Sequence, residues 1–192
     1  NAFVCKEEMQ EKYPDAEICV FDSICASGGH GLLIYHAIEN KKKGMSVTEN
    51  MQALEELKHR IVHKFTVDDL TYLQRGGRIS KTAAVIGGMI QLKPVLHVDT
   101  EGRLAAESKV RGRKKALNQL LAEMDICTGS YADKQDVVLI CHADCPEDAE
   151  YVRAKVEEKY HPNKIIMSEV GPIVGAHVGP GTMVLIFEGD KR

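Results

Sequence analysis

The chain has no apolar run of the ~20 residues that a membrane-spanning helix needs, and no signal-peptide pattern opens it. Stable membrane insertion is therefore not expected. It also has no basic excess. The formal charge is −3, whereas phosphate contacts call for a net positive face, so composition argues against a nucleic-acid binder. No C-x-x-C pair occurs among Cys5, Cys19, Cys25, Cys127, Cys141 and Cys145. Free thiols in a reducing cytoplasm explain these cysteines better than a disulfide framework. The run Cys141-His142-Ala143-Asp144-Cys145 lacks a second ligand pair at zinc-site spacing, so no metal is expected. A Walker lysine and a full dinucleotide fingerprint are missing as well, which leaves nucleotide binding without a motif.

What is present suffices for a packed core: 192 residues, 44% hydrophobic and 28% charged. Apolar strands alternate with helical patterns, which makes the chain α/β. Ala2 to Tyr13 reads as a helix closed by Pro14. Ile18 to Phe21 reads as a short strand buried on both faces. Asp22-Ser23 and the Ser27-Gly28-Gly29-His30-Gly31 loop then lead into a helix, so this part is a βα unit. Gly44 ends that helix, and Ser46-Val47-Thr48-Glu49 is a capping box for the next. That helix carries Met51, Leu54, Leu57, Ile61 and Val62 at a 3.6 period, which puts His59 and His63 on it together. Strands are expected at 64–67, 93–98, 103–110, 136–141, 164–167 and 183–187, the second and third forming a hairpin through Asp99 to Gly102. Charge and glycine coincide near Lys41 to Gly44, dividing the chain into residues 1–44, the end of an α/β domain with a parallel sheet, and residues 45–192, an α/β domain with a mixed sheet.

Two stretches carry candidate chemistry. In Tyr72-Leu73-Gln74-Arg75-Gly76-Gly77-Arg78-Ile79-Ser80-Lys81 two arginines bracket a glycine pair, and an almost uncharged run follows as far as Leu92. One reading is a helix end: glycines at the C-cap, arginines in the last turn, then a core helix. The other is an anion site. Glycine lets a ligand approach the backbone, and Arg78 offers a planar guanidinium to a carboxylate or phosphate beside the greasy surface of Ile79, Ile86, Gly88, Met89 and Ile90. Asp68 is expected to cap the short helix before it. The second stretch, Gly171 to Gly181, places His177 in a glycine- and proline-rich turn, either incidentally or as a donor to an anion. Nothing in the sequence alone brings His177 beside Arg78.

Taken together, several motifs resemble the DegV family of bacterial fatty-acid-binding proteins. They are Asp22-Ser23 after an apolar run, Phe65-x-Val67-x-x-Leu70-x-Tyr72-Leu73-x-Arg75-Gly76-Gly77-Arg78-Ile79, Lys93-Pro94 with Gly102, Lys109-x-Arg111-Gly112, and Gly175-x-His177-x-Gly179-Pro180-Gly181. They run end to end in family order over what resembles the C-terminal two-thirds of such a protein. The resemblance implies a two-domain α/β protein with one long-chain fatty acid buried between its domains. It implies His177 and Arg78 at the carboxylate; the glycine-relieved, uncharged run beside Arg78 is then expected to line the acyl pocket with Ile79, Ile86, Gly88, Met89 and Ile90, with loop contacts from Ser27, Gly28, Gly76 and Gly77. The family's Thr-Ser-x-Pro-Ser run and Ser-Gly-Thr loop have no match here and are expected before Asn1. No cofactor and no catalytic residue are implied. The partner would be an ATP-dependent fatty acid kinase that phosphorylates the presented carboxylate. An acyl tail of roughly fifteen methylenes offers on the order of 10 kcal/mol before ordering costs, and a dry site requires a paired carboxylate. The competing reading is a small-molecule phosphotransferase or hydrolase using Asp22, Ser23 and Ser27, with His30 or His177 as base.

Overall fold

The computed structural model of the chain describes residues 1–80 and 92–192. The expected apolar helix after Arg78, and with it Ile86, Gly88, Met89 and Ile90, lies outside the described residues.

Six strands form one sheet in the order β3-β2-β1-β6-β4-β5. They are β1 (Ile61–Thr66), β2 (Leu92–Val98), β3 (Leu104–Arg111), β4 (Val137–His142), β5 (Lys164–Glu169) and β6 (Met183–Glu188). The sheet is mixed: β4 and β5 run parallel, and every other neighbouring pair is antiparallel. The last strand, β6, sits inside the sheet between β1 and β4.

Helices cover both faces, and the strands alternate side chains accordingly. Ile61, Phe65, Leu139, Cys141, Val184 and Ile186 belong to one core layer. It includes residues of α2 (Ser27–Lys42), α3 (Val47–Leu57), α4 (Leu70–Arg75) and α7 (Pro172–Val178). Val62, Val138, Ile140, Met183, Leu185 and Phe187 belong to the other, beneath α5 (Arg113–Thr128) and α6 (Pro146–Tyr160). With helices on each face, β1, β4 and β6 are mostly apolar, and the polar residues His63, Lys64, Thr66 and His142 are buried in them. Lys64 is the largest of these. It is 2% exposed, and its Nζ lies 2.7 Å from both oxygens of Glu107 and 3.9 Å from Glu123. The helix α1 (Ala2–Lys12) buries no residue and leaves Phe3 and Val4 exposed.

Several local expectations hold. Ser46 and Glu49 form the capping box, with the Glu49 amide donating to Ser46 Oγ and the Ser46 amide to the Glu49 carboxylate. Gly44 ends α2 at φ +85°, and Pro146 opens α6. Others are corrected. Ile18 to Phe21 is not a strand: no described strand pairs with it, and without a ladder its apolar residues stay partly exposed, Cys19 fully so. The helix through Leu54 and Leu57 does not reach Ile61. The Arg60 amide closes a turn on the Leu57 carbonyl, and β-branched Ile61 and Val62 begin a strand. His59 and His63 are therefore not helical neighbours, and His63 is buried in β1. The cap of α4 is Asp69, which accepts from the Thr71 amide at 2.8 Å, not Asp68. The stretch Gly171 to Gly181 is not a plain turn, since Pro172 starts α7, which carries His177 in its last turn.

Candidate functional site

The glycine pair closes α4 in a Schellman motif. Gly76 is helical at φ −73°, and Gly77 turns left-handed at φ +69°. The Gly77 amide donates to the Gln74 carbonyl at 3.0 Å and the Arg78 amide to the Leu73 carbonyl at 2.8 Å. The turn satisfies the helix end, as one reading of the stretch required. It also carries Arg78 onto the wall of a cleft, with Nη1 donating to the Gly76 carbonyl at 2.7 Å.

The two motifs interlock. A Cβ on Gly76 would overlap Nδ1 of His177, so the imidazole occupies the space that glycine leaves open. Gly179 in turn leaves room for the Tyr72 ring. Below them Asp68 accepts from Lys93 Nζ at 2.7 Å and lies 3.4 Å from Arg113, which pairs with Asp148 at 2.7 Å. This ionic chain ties the start of α4 to β2 and α6. Arg78 and His177, far apart in the chain, thereby line one cleft.

The cleft has a volume of about 650 Å³, within the range of small-molecule sites. Its walls are mostly apolar: Phe65, Leu73, Val98, Leu104, Val178 and Val184. Its polar lining is Arg78, Arg103 and His177, with Ser27 and His63. Gly77 lines it too, while Gly76 stands behind the His177 ring. Ile79 lies in an adjoining cavity of about 360 Å³, with Leu70, Pro94 and Leu96; the two cavities share Arg78 and Leu104. Gly28 is not at the cleft and packs on Cys141 and Ile186 where α2 meets the sheet.

Two polar lining residues were not singled out from the sequence as site candidates. Arg103 follows the hairpin turn and pairs with Glu101 at 2.7 Å, and its position in a hairpin was the available signal. His63 was hidden by the apparent continuation of α3. Burial first, and the Arg192 guanidinium second, push its pKa down to about 3, so the ring is neutral near pH 7.

The alternative nucleophile loop spends its polar groups on itself. Asp22 accepts from the Ile24 amide at 3.0 Å, and Ser23 Oγ accepts from the Cys25 amide at 3.2 Å. Ser27 shares the cleft with His63, but no hydrogen-bonded partner meets either nitrogen of that ring. Burial raises the thiol pKa of Cys25, Cys127, Cys141 and Cys145, which disfavours the reactive thiolate. Among the described residues no group of three or more His, Cys, Asp or Glu could hold a metal ion. No helix among them is long and apolar enough to cross a membrane.

Comparison with known proteins matches residues 2–190 to a family model described as an uncharacterised protein of the DegV family. The chain belongs to the DegV family. A DegV domain-containing protein of Clostridium perfringens is 41% identical over 192 residues, which is all of this chain and 65% of that protein. The chain thus spans about 65% of the length of curated relatives that it matches. Among solved structures it is similar to DegV, described as a fatty acid binding protein, from Bacillus subtilis: TM-score 0.79, 29% identity, covering 98% of this chain and 66% of that one. A DegV-family protein of Eubacterium eligens loaded with heptadecanoic acid has the same fold, with TM-score 0.89 at 20% identity over 98% of this chain and 67% of that one. So has the fatty acid kinase (Fak) B3 protein of Streptococcus pneumoniae loaded with linoleic acid, with TM-score 0.89 at 21% identity over 98% and 66% of the two chains.

Proposed function

We propose that the protein binds one long-chain fatty acid in the Arg78–His177 cleft and presents its carboxylate to a separate ATP-dependent fatty acid kinase. The observation that carries this reading is the convergence of two motifs that bear N–H donors on one mostly apolar cleft of about 650 Å³. Arg78 can give a carboxylate two parallel N–H donors, and the ring of His177, seated against Gly76, can give a third. The walls supply what a tail needs, and Ile79 and the adjoining cavity, with Ile86, Gly88, Met89 and Ile90, extend them in this reading. Ser27 and Gly77 contact the ligand; Gly28 and Gly76 act by letting α2 and His177 pack closely. The division into residues 1–44 and 45–192, with the ligand held where the two meet, is part of the same proposal, as is a cytoplasmic site of action. Phosphoryl transfer is assigned to the kinase, with the DegV chain as its acyl-carrying subunit. Family membership and the fatty acids bound in similar structures support this.

The test is to purify the protein at its native length, extract it and identify what co-purifies by mass spectrometry. A fatty acid near one equivalent per protein is expected. Protein that carries none and takes up none from a stearate or oleate titration would refute the reading. Adding a fatty acid kinase and ATP then separates carrier from plain binder, because only a carrier yields acyl phosphate.

A further inference from the structure

Ile24 and Ser27 both take left-handed backbone, at φ +46° and +48°. For β-branched Ile24 that is an outlier, and such outliers persist only where the surroundings impose them. The Ile24 side chain is only partly buried and belongs to neither core layer, so side-chain packing is not what imposes it. The constraint acts on the Ile24 carbonyl. It accepts from Arg192 Nη2, and Gly102 of the β2–β3 hairpin lies over it, where a Cβ would stand 3.2 Å from the oxygen. Nη1 of Arg192 donates to the Lys58 carbonyl at 2.7 Å, and Nζ of Lys58 donates to the Asp22 carbonyl at 3.1 Å. The corner thus carries Ala26 and Ser27 into the cleft wall, and the hairpin carries Gly102 and Arg103 into it. Arg192 is not itself a lining residue; it stands behind the point where these two pieces of wall meet.

We propose that Arg192 is a positioning residue for fatty-acid binding, whose forked guanidinium holds the Ile24 corner in its left-handed form and so keeps that wall in place. Two of its N–H groups reach carbonyls of two separate segments, which a single ammonium cannot reproduce. Without the fork, Ile24 relaxes to ordinary backbone, Ala26 and Ser27 shift, and the ligand must restore the left-handed form when it binds. A competent form that becomes a minority weakens apparent affinity by its fraction, and one left-handed residue changes that population by about tenfold. The inference rests on the fatty-acid reading above and adds a residue outside the cleft that governs its affinity.

The experiment titrates native-length protein, stripped of lipid, with stearate and oleate, comparing the parent, Arg192→Ala, Arg192→Lys, and Arg192→Ala combined with Ile24→Asn. Arg192→Ala should bind both acids about tenfold more weakly. Arg192→Lys, which keeps the charge without the fork, should lose nearly as much. Asparagine tolerates left-handed backbone, so the combined variant should recover to within about threefold of the parent. A residue that only stabilised the fold would show no such recovery. Parent-like binding by Arg192→Ala overturns the inference, and so does a combined variant as weak as Arg192→Ala. Both results leave the fatty-acid reading intact, whereas a parent that binds neither acid removes that reading and this inference together. Should neither Arg192 variant fold, Ile24→Asn alone decides: a raised urea midpoint with affinity kept is expected, and a lowered midpoint overturns the inference.

Discussion

Adjacent glycines with opposite backbone requirements separate the site from the fold. Gly76 is helical at φ −73°, so alanine there meets no backbone strain, but its Cβ would overlap Nδ1 of His177. The ring must move, at an overpacking cost of about 1–3 kcal/mol. If it swings off the carboxylate, a hydrogen bond to a charged group is lost as well, about 1.5–3 kcal/mol or roughly ten- to a hundredfold in affinity. Gly77 is the reverse case. At φ +69° alanine carries a left-handed penalty of about 1–2 kcal/mol, but its Cβ would have open space and touch nothing. Gly76→Ala should therefore weaken fatty-acid binding by more than it lowers the unfolding midpoint. Gly77→Ala should lower stability by about that left-handed penalty and weaken binding less than Gly76→Ala does. Urea unfolding and a fluorescent fatty-acid displacement assay on both variants would measure these quantities. Tight, parent-like binding by Gly76→Ala would refute the placing of His177 at the carboxylate. Equal affinity losses in the two variants would show that the turn matters only as structure.

Replacing His177 by alanine should cost about 1–3 kcal/mol of affinity by isothermal titration, with unfolding little changed because the ring is only half-buried. His63 should give stability a pH dependence. Its folded pKa of about 3 lies below the ordinary value of 6.5, so the unfolded chain takes the proton first, and stability falls as pH drops from 6.5 toward 3. The slope approaches ~1.4 kcal/mol per unit, and over pH ~4.5–6.5, above the carboxylate range, His63→Leu should flatten it; denaturant midpoints through that window are the check. Lys64→Ala should cost about 3 kcal/mol, because it leaves buried Glu123 without its cation; Lys64→Ala with a midpoint near that of the parent would contradict the burial argument.

Local signals in the sequence were legible where they were self-contained. The capping box, Gly44, Pro146 and the hairpin turn each act within a few residues, and each appears where it was expected. The helix-end reading of Gly76-Gly77 holds, and the same turn carries Arg78 onto the wall of the cleft. Errors arose where tertiary pairing overrode local spacing. Apolar residues at Leu54, Leu57, Ile61 and Val62 satisfy a helical period, but β6 lies alongside Ile61 to Thr66 and takes them into the sheet. That single displacement hid His63. Ile18 to Phe21 has strand composition without a strand to pair with. The approach of His177 to the α4 turn depends on Gly76 leaving space for a ring a hundred positions away, and no short-range pattern encodes that.

The place of β6 in the sheet also governs the order in which the molecule can be assembled. Of the described strands it is made after the other five, and yet it is an interior strand, joined to β1 on one side and β4 on the other. Until Met183 to Glu188 emerge, β3-β2-β1 and β4-β5 are two separate fragments, each ending in a bare edge open to wrong partners. The cleft draws Phe65 from one fragment, Val184 from the closing strand and His177 from the helix just before it. A chain cleaved before Met183 therefore lacks Val184 and the closing strand, and with them a complete cleft.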